Sequence, residues 1–234
     1  MKKSFITLLL CLCCSFVIKA QTNSPHVERP RLVIGIVVDQ MRWDYLYRYY
    51  DRYGEEGFKR LLSQGFSMEN AYIDYIPTYT AVGHASVYTG SVPAIHGIAG
   101  NNFVIQNSGK YVYSTDDDSV EGVGTKAKGG KMSPKNLLAS TVGDELRLAT
   151  NFRSKTIAIA LKDRASILPG GALANAAYWF DGDSGDFITS NFYMEDLPKW
   201  VKKFNRQNLA KKYLSQDWTT LYDIDTYKQS IEDN

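Results

Sequence analysis

The chain has 234 residues, with 27 Lys and Arg against 25 Asp and Glu for a net charge of +2, and 44% of its residues are hydrophobic. So balanced a charge gives no general electrostatic basis for binding nucleic acid or an anionic membrane surface. All three cysteines, Cys11, Cys13 and Cys14, crowd near the start, which excludes a disulfide framework or a Cys-based metal site in the rest of the chain.

Residues 1–20 carry the pattern of a signal peptide. Lys2 and Lys3 form a positive start, Phe5 to Ile18 an apolar core, and Ala20 a small residue ahead of Gln21. The apolar stretch is too short to span a bilayer. No cysteine stands where a lipid anchor would be attached, so the expectation is an exported, periplasmic or secreted protein without a stable membrane anchor. Removing the segment takes Lys2, Lys3 and Lys19 with it, leaving 24 bases against the 25 acids and a net charge of −1. A polar lead, 21–30, follows and is broken by Pro25 and Pro30.

Leu32 to Val38 is a continuous, β-branched apolar run, expected as a parallel strand buried on both faces. Asp39 ends it, where α/β folds gather their ligand chemistry and where a carboxylate offers hard oxygens to a divalent cation. Trp43–Tyr53 and Glu55–Ser63 have helical periodicity, the second ending at Gly65. The many tyrosines of the first are expected to pack as an aromatic stripe. Phe66–Tyr75 reads as a strand leading into Ile76-Pro77. This order of strand and helix argues for an α/β fold.

From Pro77 the chain delivers Thr78 and Thr80 to a short helix that stops at Gly90. Thr80 falls in the first turn, where free N–H groups and the helix dipole favour an anion; a threonine there can equally be a simple cap. His84 lies one turn further on the same face. His84 and His96 are both assigned structural roles. Asn101 follows Gly100, a place where asparagine also serves as a plain turn residue.

Residues 115–132, with Asp116 to Asp118 and several glycines and lysines, read as a mobile surface loop. Ser133-Pro134 suggests the start of a helix running to about Thr150. Thr156–Leu161 is a second buried strand, with Lys162 and Arg164 just beyond its end. Both cations suit a phosphate, Arg through a planar fork and Lys as a point charge. A hairpin is expected across Asp181–Gly185, then a helix over Met194–Asn205 and a polar tail. No internal repeat is present.

The ordered run Thr80, His84, Ser86, Thr89-Gly90, Pro93, His96-Gly97-Ile98 and Asn101 resembles the nucleophile segment of the alkaline phosphatase superfamily. It is most similar to the phosphate-irrepressible bacterial alkaline phosphatases, which use a threonine nucleophile. Lys162-x-Arg164 followed by Ala-Ser-Ile-Leu-Pro169-Gly extends the likeness, which runs from about Arg29 to the last residue. The resemblance implies an alkaline phosphatase-like α/β sandwich, with a central, mostly parallel sheet flanked by helices.

It also implies hydrolysis of small-molecule phosphate monoesters through a covalent phosphothreonine at Thr80 in a two-zinc site. Asp39 and Thr80 would be metal ligands, and Asn101, Lys162 and Arg164 would bind substrate. Because that family takes its other ligands and strands from further along, residues 31–234 are expected to be the N-terminal part of a longer catalytic domain. Rival readings are a nucleotide pyrophosphatase/phosphodiesterase, disfavoured by Lys162 and Arg164, a sulfatase, and a non-catalytic exported binding protein using its tyrosine-rich surface.

Overall fold

A computed structural model describes residues 30–227. The expected signal peptide and nearly all of the polar lead lie outside the described residues. The chain divides into two compact units between Val38 and Asp39. In the first, Leu32–Val38 forms no strand, and its side chains are exposed, Leu32 by 75%. This corrects the buried strand expected there. A strand exists through the hydrogen bonds of a neighbour, and among the described residues this run has none.

The second unit begins with two short helices, α1 (Tyr45–Arg48) and α2 (Phe58–Gln64). Helix α1 is shorter than the expected Trp43–Tyr53 because a 3-10 turn over Tyr50–Arg52 replaces its second half. Phe66–Tyr75 is exposed irregular chain rather than a strand. Next come α3 (Thr80–Thr89) and α4 (Pro93–His96), then the antiparallel hairpin β1 (Asn102–Ile105) and β2 (Lys110–Tyr113). Gly90 closes α3 in the left-handed conformation, φ 64°, as the sequence reading expects.

Strand β3 (Gly122–Val123) and helix α5 (Val142–Ala149) precede the parallel pair β4 (Ile157–Ala160) and β5 (Ala176–Asp181), which are joined through α6 (Asp163–Gly170). Strand β6 (Asp186–Ser190) returns antiparallel to β5 across the expected hairpin. Two further helices, α7 (Lys199–Asn205) and α8 (Leu209–Leu214), complete the described elements. The sheet order is β3-β6-β5-β4, and one of its three pairings is parallel.

Alternation along β5 builds the layers. Ala177 and Trp179 join Met132, Ile167 of α6 and Ile188 in one core cluster. Ala176 and Tyr178 join Leu197 and Val201 of α7 in another. A strand's side chains alternate faces, so each face of the sheet has its own helix, in agreement with the expected α/β sandwich. The third cluster packs Ala81 and Ala85 of α3 against Ile98 and Leu168 of α6. Small side chains on α3 let the two helices come close.

Residues 115–132 are not the loose loop the composition suggests. Asp117 is buried at 5% exposure and accepts from Ser119, Ser133 and Lys135. Asp116 bridges to Met132, and β3 adds to the sheet. A buried carboxylate with that many donors fixes the chain around it. Burial pushes the Asp117 carboxyl up, but the bonds from Ser119, Ser133 and Lys135 outweigh it and hold it well below the usual carboxylate range. Ser133 Oγ accepts the Lys135 N–H at 3.2 Å while it donates to Asp117, but only a single turn follows Pro134, closed by the Leu137 N–H on the Pro134 carbonyl at 2.9 Å. Helix α5 starts instead at Thr141, whose side chain and that of Asp144 form a reciprocal capping box.

Candidate active site

Thr80 is the first residue of α3, and the cap position belongs to Tyr79, which makes no side-chain capping bond. Thr80 therefore does not spend its hydroxyl on the helix end. Its Oγ1 donates instead to Asp39 Oδ2 at 3.2 Å. Thr80 is half-buried and Asp39 exposed, so both oxygens stand where a ligand in solvent reaches them.

Asn101 meets the same helix turn. The Ala81 N–H donates to Asn101 Oδ1 at 2.9 Å. A backbone N–H can only be accepted by the amide oxygen, so this bond fixes the orientation of the asparagine. Its Nδ2 donors have no partner among the described residues.

The two histidines are internal struts. His84 is buried, and its Nδ1 lies 2.8 Å from the Thr80 carbonyl. His96 is fully buried and accepts the Ile98 N–H on Nδ1, so Nε2 carries the proton and faces Ser86 Oγ at 2.9 Å. Burial lowers the His96 pKa and keeps the ring neutral.

Lys162 and Arg164 lie at the far end of β4, around the start of α6, where the sequence reading expected them. Lys162 is exposed. Arg164 is mostly buried, and its Nη1 donates to Tyr113 Oη at 2.5 Å. The structure brings Asp39, Thr80 and Asn101 together through α3. Among the described residues no hydrogen bond or ion pair joins Lys162 or Arg164 to them directly. The link is the β1–β2 hairpin: Asn101 accepts the Ser114 N–H at 2.9 Å on its carbonyl, next to Tyr113. Tyr113 carries no local signal of this role in the sequence.

The Asp39 carboxylate and Thr80 hydroxyl are hard oxygens converging at 3.2 Å, a pairing suited to two ligands of a divalent cation. Among the described residues no group of three or more His, Cys, Asp or Glu comes together to complete such a site. The fit is therefore to part of a ligand set.

The structure thus sets a threonine at a helix N-terminus in an α/β sandwich, an amide bonded to the same turn, and an arginine reached from that amide through one hairpin. The chain belongs to the Type I phosphodiesterase / nucleotide pyrophosphatase family, whose profile matches residues 33–233.

Among its relatives, it is 61% identical to the "Calcium-transporting ATPase" of Myroides odoratus over 97% of this chain and 41% of that protein. It is 60% identical to alkaline phosphatase PhoV of Synechococcus elongatus over 88% of this chain and 38% of the relative. The crystal structure of wild-type alkaline phosphatase PafA superposes with a TM-score of 0.86 at 56% identity, covering 89% of this chain and 40% of that one. The chain thus spans about two fifths of the length of the relatives it matches.

Proposed function

We propose that this chain carries the nucleophile and phosphate-gripping residues of an exported alkaline phosphatase that hydrolyses phosphate monoesters through a phosphothreonine at Thr80. The observation that carries this reading is the Thr80 hydroxyl, free of any capping duty at the start of α3 and held by Asp39 at 3.2 Å. Support comes from the alkaline phosphatases among its relatives. Export rests on the pattern of residues 1–20.

Thr80 Oγ1 gives its proton to solvent and attacks phosphorus in line, and the ester oxygen leaves on the opposite side, taking a proton from water to depart as the alcohol. Water then attacks phosphorus, the Oγ1–P bond breaks, inorganic phosphate is released, and Oγ1 regains a proton. Asn101 presents its Nδ2 donors to a phosphoryl oxygen because its Oδ1 is already held by Ala81. Lys162 and Arg164 grip the non-bridging oxygens that a monoester has and a diester partly lacks. Asp39 and Thr80 are the ligands this chain offers to a metal, zinc in this reading, with two ions in the whole site. A cation held there would supply Lewis acidity that eases the loss of the Thr80 proton.

Denaturing the protein from its whole gene during turnover and mapping phosphopeptides tests the nucleophile. The label is expected on Thr80 and absent from Thr80→Ala, whose turnover falls by several decades. Label on Thr78 instead would overturn the assignment. Comparing phenyl phosphate with its methyl diester separates a monoesterase from a phosphodiesterase of the same family.

A further inference from the structure

We propose that Tyr113 is a positioning residue for Arg164: its hydroxyl stands between the guanidinium and Asp163 and leaves the rest of the arginine fork for the phosphoryl group. This rests on the reading that Arg164 grips phosphate.

The bond directions are fixed by chemistry. A guanidinium only donates, so Arg164 Nη1 donates to Tyr113 Oη at 2.5 Å, and the phenol proton goes on to Asp163 Oδ1 at 2.6 Å. Asp163 Oδ1 also accepts the Arg164 backbone N–H at 2.5 Å. Arg164 Nη1 and Asp163 Oδ1 are left 4.0 Å apart, beyond hydrogen-bond reach.

Both side chains are largely buried, at 16% and 13% exposure. Unscreened neighbours of opposite charge normally close into a direct pair, often a bidentate one that occupies two guanidinium nitrogens. The tyrosine prevents this while still satisfying the carboxylate. Arg164 Nε has no partner among the described residues, so the fork is engaged through Nη1 alone.

The ring adds a second restraint, its centroid 5.7 Å from the Arg164 Cζ. Burial and the charge of Asp163 push the Tyr113 hydroxyl above the ordinary phenol range, so it remains a donor under alkaline conditions. Tyr113 also sits opposite Asn102 in the β1–β2 ladder, and its neighbour Ser114 binds the Asn101 carbonyl. The hairpin thus carries the arginine's spacer and braces the asparagine at once.

The test is a double-mutant cycle in the metal-loaded protein from its whole gene, read as kcat/KM for phenyl phosphate with melting temperature as control. Tyr113→Phe keeps the ring and removes the spacer. It is expected to lower kcat/KM about tenfold in the parent and less than about twofold in an Arg164→Ala background, the mark of coupling. Adding Asp163→Asn to Tyr113→Phe removes the carboxylate that captures Arg164, and part of the lost rate is expected to return. Equal losses in both backgrounds, no loss at all, or no recovery with Asp163→Asn would each overturn the positioning role. If Arg164→Ala itself leaves phenyl phosphate turnover unchanged, the failure lies in the phosphate-gripping reading beneath it.

Discussion

Ala81 gives its backbone N–H to Asn101 Oδ1 at 2.9 Å, and that one bond decides which end of the amide faces outward. An acceptor turned towards the helix leaves two donors turned away from it, the polarity an anion requires. In the proposed site this separates two roles in one side chain, bracing on the oxygen and recognition on the nitrogen. Asn101→Asp keeps the brace and replaces the donor with a negative charge. It is expected to melt close to the parent and to lose about 10²–10³-fold in kcat for a phosphate monoester. Asn101→Ala removes the brace as well, and its melting temperature is expected to fall below that of Asn101→Asp. Thermal melts and steady-state kinetics on the two variants check both statements.

Replacing Lys162 and Arg164 together with Ala is expected to cost monoesters much more than diesters. Each charged contact contributes roughly 1.5–3 kcal/mol. Parallel assays on phenyl phosphate and its methyl diester check this, and equal losses would mean that the pair serves the fold.

His96 sets a pH dependence of stability. Burial lowers its folded pKa below the ordinary 6.5, so below 6.5 the unfolded chain binds a proton that the folded ring refuses. Unfolding free energy therefore rises with pH through this interval. The contribution is complete above about pH 6.5 and is lost as the pH falls from there towards the depressed value. Urea melts between pH 5 and 7.5 are expected to show this slope in the parent and a flatter one in His96→Gln.

Thr141 and Asp144 are expected to differ in cost. Thr141→Ala loses a helix cap, about 0.5–2 kcal/mol. Asp144 is buried and accepts the Thr141 N–H at 3.0 Å and the Leu173 N–H at 2.7 Å. Asp144→Ala should lose a further ~1–3 kcal/mol because two donors are stranded. Chemical denaturation of both variants settles the order.

Local rules read best where a single residue's conformation decides the outcome. Gly90 could stop a helix in the left-handed region, and Asp181–Gly185 could turn a hairpin, so both were legible. Thr80 is marked by its place in the first turn of a helix; Asp39 is marked only by an expected strand that does not form, yet the structure sets the two in contact.

Local rules fail where partners distant in sequence decide. Ser133-Pro134 has the local form of a helix start, and Ser133 does accept the Lys135 N–H, but its hydroxyl is anchored to Asp117, sixteen residues away, and the chain makes only a turn there. The run Leu32–Val38 has the composition of a central strand, yet composition supplies no neighbour to pair with. Tyr113 matters through Asp163 and Arg164, about fifty residues on, and nothing next to it announces the meeting.

The β1–β2 hairpin has a consequence for how such a site can change over generations. Four pairings, from Asn102↔Tyr113 to Ile105↔Lys110, hold its register. Side chains alternate faces along a strand, so a slip of one position sends every one of them to the opposite side. An insertion or deletion at the tip over residues 106–109 that shifted β2 by one residue would turn Tyr113 away from Arg164 and displace Ser114 from the Asn101 carbonyl, while Asn101 Oδ1 keeps the Ala81 N–H. Length variation at that remote tip is thus a lever on the arginine and on one of the asparagine's two braces, able to retune the grip on the substrate while the threonine is inherited intact.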